Sequence, residues 1–252
     1  MTPEELAARV AEELTDQGAQ AVVLVGSHAR GDAFPESDID LIALGNGEPY
    51  RLERRDGQLL SISWMAADSV RESFRSPRDA PGAVPGWQSA ILLTDPEGIA
   101  AGLQREARAW NWAVVGDDAC NAYVAEELAG LAEEVHKLVN LRETGNLTGA
   151  AVQRAILSFR LGVVMAIHLR LMFDTENQLW DMVNERLGEP WTDVQARSFG
   201  LGDESFGATC RAALQLYRLA AGYILPLFDA RQAAVVHYAC ELSSRVDRDS
   251  VA

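Results

Sequence analysis

Hydrophobic and polar positions follow two different patterns along the chain, and the change falls near residue 116. In the first part, a helical spacing of Leu6, Val10 and Leu14 predicts a helix over 4–17. Short apolar runs separated by turn residues then predict strands. These strands cover 21–25, 38–44, 50–54, 58–65 and 90–94. Asp56-Gly57, between two of them, is typical of a tight hairpin turn.

The connections in this first part are predicted as loops and short helices. Residues 26–31 form a loop at the end of the first strand, and a helix is predicted over 68–74. The stretch 77–86 holds three prolines and two glycines, which predicts a loop. Thr94-Asp95-Pro96 is typical of a helix start, and the helix is expected to run to about Trp112.

The second part has a helical period almost throughout, with short turns between its segments. The predicted helices cover 119–143, 148–173, 176–187, 205–226 and 229–246, and the polar tail after Arg245 is expected to fray. Long helices with short connections indicate a helical bundle. The fold class is therefore α+β, with a small mixed-sheet domain over 1–115 and an all-α bundle over 116–252.

Charge narrows the class of partner. The 252 residues carry a net charge of −15: 10 arginines oppose 18 acidic residues through Val115, and 12 basic oppose 19 acidic residues after it. Neither part is basic, which argues against nucleic acid as a partner, whereas a cationic ligand would be attracted. Solubility alone is the other explanation of this charge. No signal-like start, no long uninterrupted apolar stretch and three scattered cysteines lead us to expect a cytoplasmic protein without a membrane span.

Two short runs concentrate the polar chemistry of the first part: Gly26-Ser27-His28-Ala29-Arg30-Gly31 and Ser37-Asp38-Ile39-Asp40-Leu41. Alternate strand residues share a face, so Asp38 and Asp40 are expected side by side. Two adjacent carboxylates repel unless a cation lies between them, and such oxygen ligands suit Mg²⁺ together with substrate phosphates. An exposed strand with a solvated face is the alternative explanation.

This combination resembles the polymerase-β-like nucleotidyltransferase superfamily. The resemblance implies that Gly26 and Ser27 hold the triphosphate of ATP or another NTP, with Arg30 close to the phosphates. It further implies that Asp38 and Asp40 bind Mg²⁺. His28 is given no role.

A second motif lies in the first helix of the second part, where Glu133 and Lys137 are one helical turn apart. An ordinary surface ion pair explains such spacing, but Lys137 is the one lysine in a chain with 21 arginines. A compact ammonium group is harder to replace at a triphosphate than on a surface. The run also resembles the aminoglycoside (kanamycin) nucleotidyltransferases. That resemblance implies that Glu133 is the catalytic base, that Lys137 binds phosphate, that the acceptor is a polycationic aminosugar, and that the protein is a homodimer.

One position departs from the superfamily pattern. The strand expected to carry a third acidic residue holds Ser61 instead. The first hypothesis is Mg²⁺-dependent transfer of a nucleoside monophosphate to an aminoglycoside-like hydroxyl, as in antibiotic resistance. The alternatives are a nucleotide-binding regulatory or antitoxin-type homologue with degenerate catalysis, which Ser61 supports, and protein AMPylation.

Overall fold

A computed structural model describes residues 1–248, and within them the chain forms two compact units. The first comprises Met1–Val115 and the short segment Met172–Glu176. The second comprises Gly116–Leu171 and the chain from Asn177 onward. A sheet unit and a helical unit confirm the predicted α+β class.

The first unit is built on a five-stranded mixed sheet whose strands follow the sequence prediction closely. The strands are β1 (Ala21–Val25), β2 (Ile39–Leu44), β3 (Tyr50–Arg55), β4 (Gln58–Met65) and β5 (Ile91–Thr94). Their order is β3-β4-β2-β1-β5, and β2 runs parallel to β4 while the other neighbours are antiparallel. The β3–β4 turn places Asp56 at φ 49° and Gly57 at φ 87°, as the predicted hairpin requires.

Alternation along the strands divides the apolar residues between the two faces of the sheet. One face packs against helix α1 (Pro3–Asp16), which begins with a capping box between Thr2 and Glu5. The other face packs against α3 (Ala67–Ser73), α4 (Ala80–Ser89) and α5 (Ile99–Ala109). On β2, Ile39, Leu41 and Ala43 belong to the first face, so the intervening residues, including Asp40, point to the second.

The prediction of a loop over 77–86 is wrong, because most of this stretch lies in helix α4. Pro81 lies in the first turn, where a missing N–H costs nothing. Pro85 cannot donate to the carbonyl of Pro81, but the backbone N–H of Phe173 donates to that carbonyl at 3.0 Å. A contact far away in sequence therefore satisfies the group that Pro85 leaves unpaired.

Two other connections differ from the prediction. Residues Gly26–Arg30 form a short helix, α2, and not a loop. Helix α5 starts at Ile99, and Asp95 caps it from outside by accepting the N–H groups of Ala100 and Ala101 at 3.1 and 2.8 Å. The helix ends at Ala109, earlier than expected.

The second unit is helical. Its helices are α6 (Asp117–Gly130), α7 (Ala132–Glu143), α8 (Leu147–His168), α9 (Glu176–Leu187), α10 (Trp191–Phe199), α11 (Phe206–Ile224) and α12 (Ala230–Arg248). The predicted helix 119–143 divides at Leu131, α8 ends five residues early, and α10 was not predicted. The tail expected to fray after Arg245 is helical to Arg248, and its last four residues lie outside the described chain.

Two large buried side chains of this unit have internal hydrogen-bond partners. The Tyr217 hydroxyl donates to the carbonyl of Leu128 at 3.2 Å, and the Trp191 indole N–H donates to Gln195 Oε1 at 2.8 Å. Within residues 1–248, α8 alone combines the length and apolar composition that a membrane span would need, and half of its most apolar window is buried.

Candidate functional site

The turn from β1 into α2 lies directly against the side chain of Asp40. Gly26 has φ 72°, and a Cβ there would lie 2.3 Å from Asp40 Oδ2. Only glycine permits both this backbone conformation and this close approach. The glycine of the first motif is therefore required where the chain passes over the carboxylate.

Strand pairing determines which residues of β1 and β4 lie next to Asp40. In the register of the sheet, Asp40 pairs with Val25 on β1 and with Ser61 on β4. Asp38 immediately precedes β2 and is half-buried, as is Asp40. Ser61 therefore lies beside Asp40, the position where the resemblance calls for a third acid.

The carboxylate of Asp40 has too little positive charge around it to offset its burial and the charge of Asp38. Burial raises the pKa of Asp40 above its usual value, and the charge of Asp38 raises it further. A hydrogen bond from Ser61 and the charges of His28 and Arg30 oppose the rise without cancelling it. A cation between the two carboxylates would relieve this repulsion.

In the described chain, the ion pair of Arg30 is with Asp32 and not with Asp38 or Asp40. Its guanidinium forms an ion pair with Asp32 at 3.2 Å and donates to the backbone carbonyl of Asp174 at 3.2 Å. Asp174 belongs to the segment 172–176, which the sequence prediction places where the helix 148–173 ends and the helix 176–187 begins. This anchor, and the proximity of His28 to Asp40, are features that the sequence analysis missed; the position of His28 within the motif was the available signal.

The donor set fits a magnesium ion. Two carboxylates are the protein ligands that Mg²⁺ takes when substrate phosphates and water complete its shell. In the described chain no three or more His, Cys, Asp or Glu side chains gather into a metal-binding group. Asp38 and Asp40 would therefore hold the ion with oxygens supplied by a nucleotide.

The second motif lies in the helical unit, on α7. Lys137 Nζ is 2.7 Å from Glu133 Oε1 and 3.8 Å from Glu134 Oε1. The Glu133 side chain is 70% exposed, and its hydrogen bond with Lys137 lowers the pKa of its carboxyl group. The structure thus brings Glu133 and Lys137 together as an exposed ion pair, and Gly26, Ser27, Arg30, Asp38 and Asp40 together in the sheet unit.

Comparison with known proteins agrees with this geometry in the sheet unit. Residues 5–76, fewer than a third of the chain, match the family model described as nucleotidyltransferase domain. No curated protein matches the sequence. The fold is similar to the crystal structure of a nucleotidyltransferase-like protein from Exiguobacterium sibiricum 255-15, with a TM-score of 0.53 and 14% identity. That similarity covers 88% of this chain and 78% of the other.

The family match supports nucleotidyl transfer as the general class of activity, with an NTP as substrate. The family match begins in α1 and ends just after α3, so it includes both runs of the first motif.

Proposed function

We propose that this protein, whose residues 5–76 match a nucleotidyltransferase domain, transfers a nucleoside monophosphate from ATP or another NTP to a hydroxyl group of an aminoglycoside-like polycation. The observation that carries the proposal is the contact between the Gly26 backbone and the Asp40 carboxylate, with Asp38 beside it. It brings the backbone at the start of α2 next to two carboxylates suited to a divalent metal.

The residues have distinct roles in this proposal. Asp38 and Asp40 hold Mg²⁺, which neutralises charge on the triphosphate when bound. Gly26 and Ser27 bind the phosphates through the first turn of α2, and Arg30, held in place by Asp32 and the Asp174 carbonyl, adds positive charge beside them.

Glu133 is the proposed base and Lys137 a proposed phosphate ligand. Glu133 accepts the proton of the acceptor hydroxyl, whose oxygen bonds to the α-phosphorus as the bond to the pyrophosphate oxygen breaks. In the structure Lys137 lowers the pKa of Glu133 and so weakens it as a base. A triphosphate that draws Lys137 away would restore that basicity, so base activation would depend on bound nucleotide.

Charge supports the cationic acceptor. The protein carries a net charge of −15, and an acidic surface raises the encounter rate of a ligand with several ammonium groups. The proposal also includes a homodimer in the cytoplasm. The homodimer is supported by apolar side chains of α8 that are exposed in the single chain and that a second copy could cover. Leu147, Val152 and Phe159 are 63%, 51% and 47% exposed.

One observation favours a second candidate, a nucleotide-binding regulatory homologue without transfer. Ser61 holds the place of the third acid and donates a hydrogen bond to Asp40, so the site has one fewer charged ligand for a metal. A site that holds one metal ion through two carboxylates can bind a nucleotide, whereas two-metal catalysis needs ligands for a second ion.

The test is incubation with labelled ATP and Mg²⁺ against a panel of aminoglycosides and, separately, of proteins. Pyrophosphate release that depends on an aminoglycoside is expected. Saturable Mg²⁺-dependent ATP binding without release would refute transfer and support the regulatory homologue. No nucleotide binding by wild type, in a preparation shown to be folded, would overturn both candidates. The Asp40→Asn variant is the matched negative control.

A further inference from the structure

Three arginines from different helices of the second unit converge on one place. We call Arg142 of α7, Arg154 of α8 and Arg211 of α11 the arginine cluster. All three act electrostatically on the thiol of Cys210, where they oppose the effect of burial, which raises its pKa. Within residues 1–248, the charged groups that act on this thiol are these three cations.

Gly207, in the first turn of α11, lies beside the cluster. At the position that a Cβ on Gly207 would take, Arg211 Nη1 is 3.8 Å away, and Arg142 Nη2 and Ser205 Oγ are each 3.9 Å away. Arg154 Nη1 lies close by, donating to the Thr209 hydroxyl at 3.0 Å. A small acceptor group carried on a side chain at position 207 would therefore meet donors from more than one residue.

Two members of the cluster, Arg142 and Arg154, are not paired with carboxylates in the described part of the chain. Other arginines of this unit pair with carboxylates, such as Arg160 with Glu127 at 2.7 Å and Arg170 with Asp117 at 3.0 Å. In the described part of the chain, Arg142 and Arg154 form no ion pair, and Arg142 Nη1 and Arg154 Nε are buried without an acceptor. Buried donors without acceptors are costly, and more so in guanidinium groups.

We propose that the arginine cluster binds the phosphate group of a small molecule, at a site built from residues of the helical unit. Phosphate oxygens are strong acceptors that match the fork of a guanidinium, and their charge suits several cations better than one carboxylate does. The proposal does not depend on nucleotidyl transfer, because it rests on contacts within the helical unit.

Inorganic phosphate is the direct probe, used with the full-length protein in EDTA so that no metal bridges it to the aspartates. Calorimetric titration of wild type is expected to show one saturable site. Arg142→Gln and Arg154→Gln should each weaken binding about tenfold or more, since each removes a charge-assisted hydrogen bond. Arg231→Gln, which removes an exposed arginine paired with Glu126, is the matched control and should leave the affinity unchanged. Absence of saturable binding, or equal affinity in all variants, would overturn the proposal.

A tethered anion provides a second test that does not require removing an arginine. A Cβ at Gly207 makes only ordinary contacts, so Gly207→Asp and Gly207→Asn can both be accommodated. Gly207→Asp should place a carboxylate in the cluster, raise the melting temperature without phosphate, and abolish the further rise that phosphate gives to wild type. Gly207→Asn should keep the phosphate-dependent rise. If the two variants respond alike, the cluster is not an anion site.

Discussion

Gly26→Ala is the sharpest test of how the first motif is built. The added Cβ would lie 2.3 Å from Asp40 Oδ2, and the residue would have to keep φ at 72°. The left-handed conformation costs an L-residue about 1–2 kcal/mol. Relieving the clash by displacing side chain or backbone adds about 1–3 kcal/mol. We therefore expect Gly26→Ala to lower the free energy of unfolding by about 2–5 kcal/mol.

Urea unfolding followed by tryptophan fluorescence measures this loss, and two variants separate its causes. Gly57→Ala carries the same kind of backbone penalty, with φ 87° and no atom within 4 Å of the new Cβ, so it should lose only about 1–2 kcal/mol. In an Asp40→Ala background the clashing oxygen is gone, and Gly26→Ala should then cost about as much as Gly57→Ala. Equal losses for Gly26→Ala with and without the Asp40 carboxylate would refute the reasoning.

Three further predictions concern the charged groups. Because burial and Asp38 raise the pKa of Asp40, its ionised form destabilises the metal-free fold. This effect grows as the pH rises from the ordinary value of 3.8 through the raised one. Asp40→Asn in EDTA should therefore unfold at higher urea concentration than wild type at neutral pH, with the difference vanishing towards pH 3.8; a less stable variant at neutral pH would contradict the assignment. Ser61→Asp should strengthen Mg²⁺-dependent ATP binding about tenfold by adding a third carboxylate, and unchanged calorimetric affinity would show that this position does not face the metal. Glu133→Gln should abolish pyrophosphate release while ATP affinity stays near wild type; full turnover would exclude Glu133 as the base.

The strands and most helices could be predicted because their signals are local. The hairpin at Asp56-Gly57 and the strand Ala21–Val25 follow from turn chemistry and apolar runs, and both are confirmed. Helix α4 could not be predicted, since the carbonyl that Pro85 leaves unpaired finds its donor at Phe173, about ninety residues away. Local propensity correctly marks Pro85 as unfavourable inside a helix, and the hydrogen bond from Phe173 compensates for the donor that Pro85 lacks.

The candidate site divides in the same way. The sequence alone singled out Gly26, Asp38 and Asp40, because a tight turn and paired carboxylates carry a recognisable chemistry. It also placed Ser61 opposite the aspartates, which the parallel register of β2 and β4 bears out. Only the tertiary structure showed that the Gly26 backbone presses on the Asp40 carboxylate and that Arg30 is anchored by Asp174.

The sequence by itself therefore determined the fold class, the strands and the identity of the motif, since these depend on periodicity and on residue type within a few positions. The tertiary structure decided which charged groups lack enough opposite charge nearby. In the described chain these are the carboxylate of Asp40 and the guanidinium groups of Arg142 and Arg154, which pair with no carboxylate. This charge imbalance depends on burial and on charges contributed by segments far apart in the chain. A local sequence pattern therefore cannot predict it.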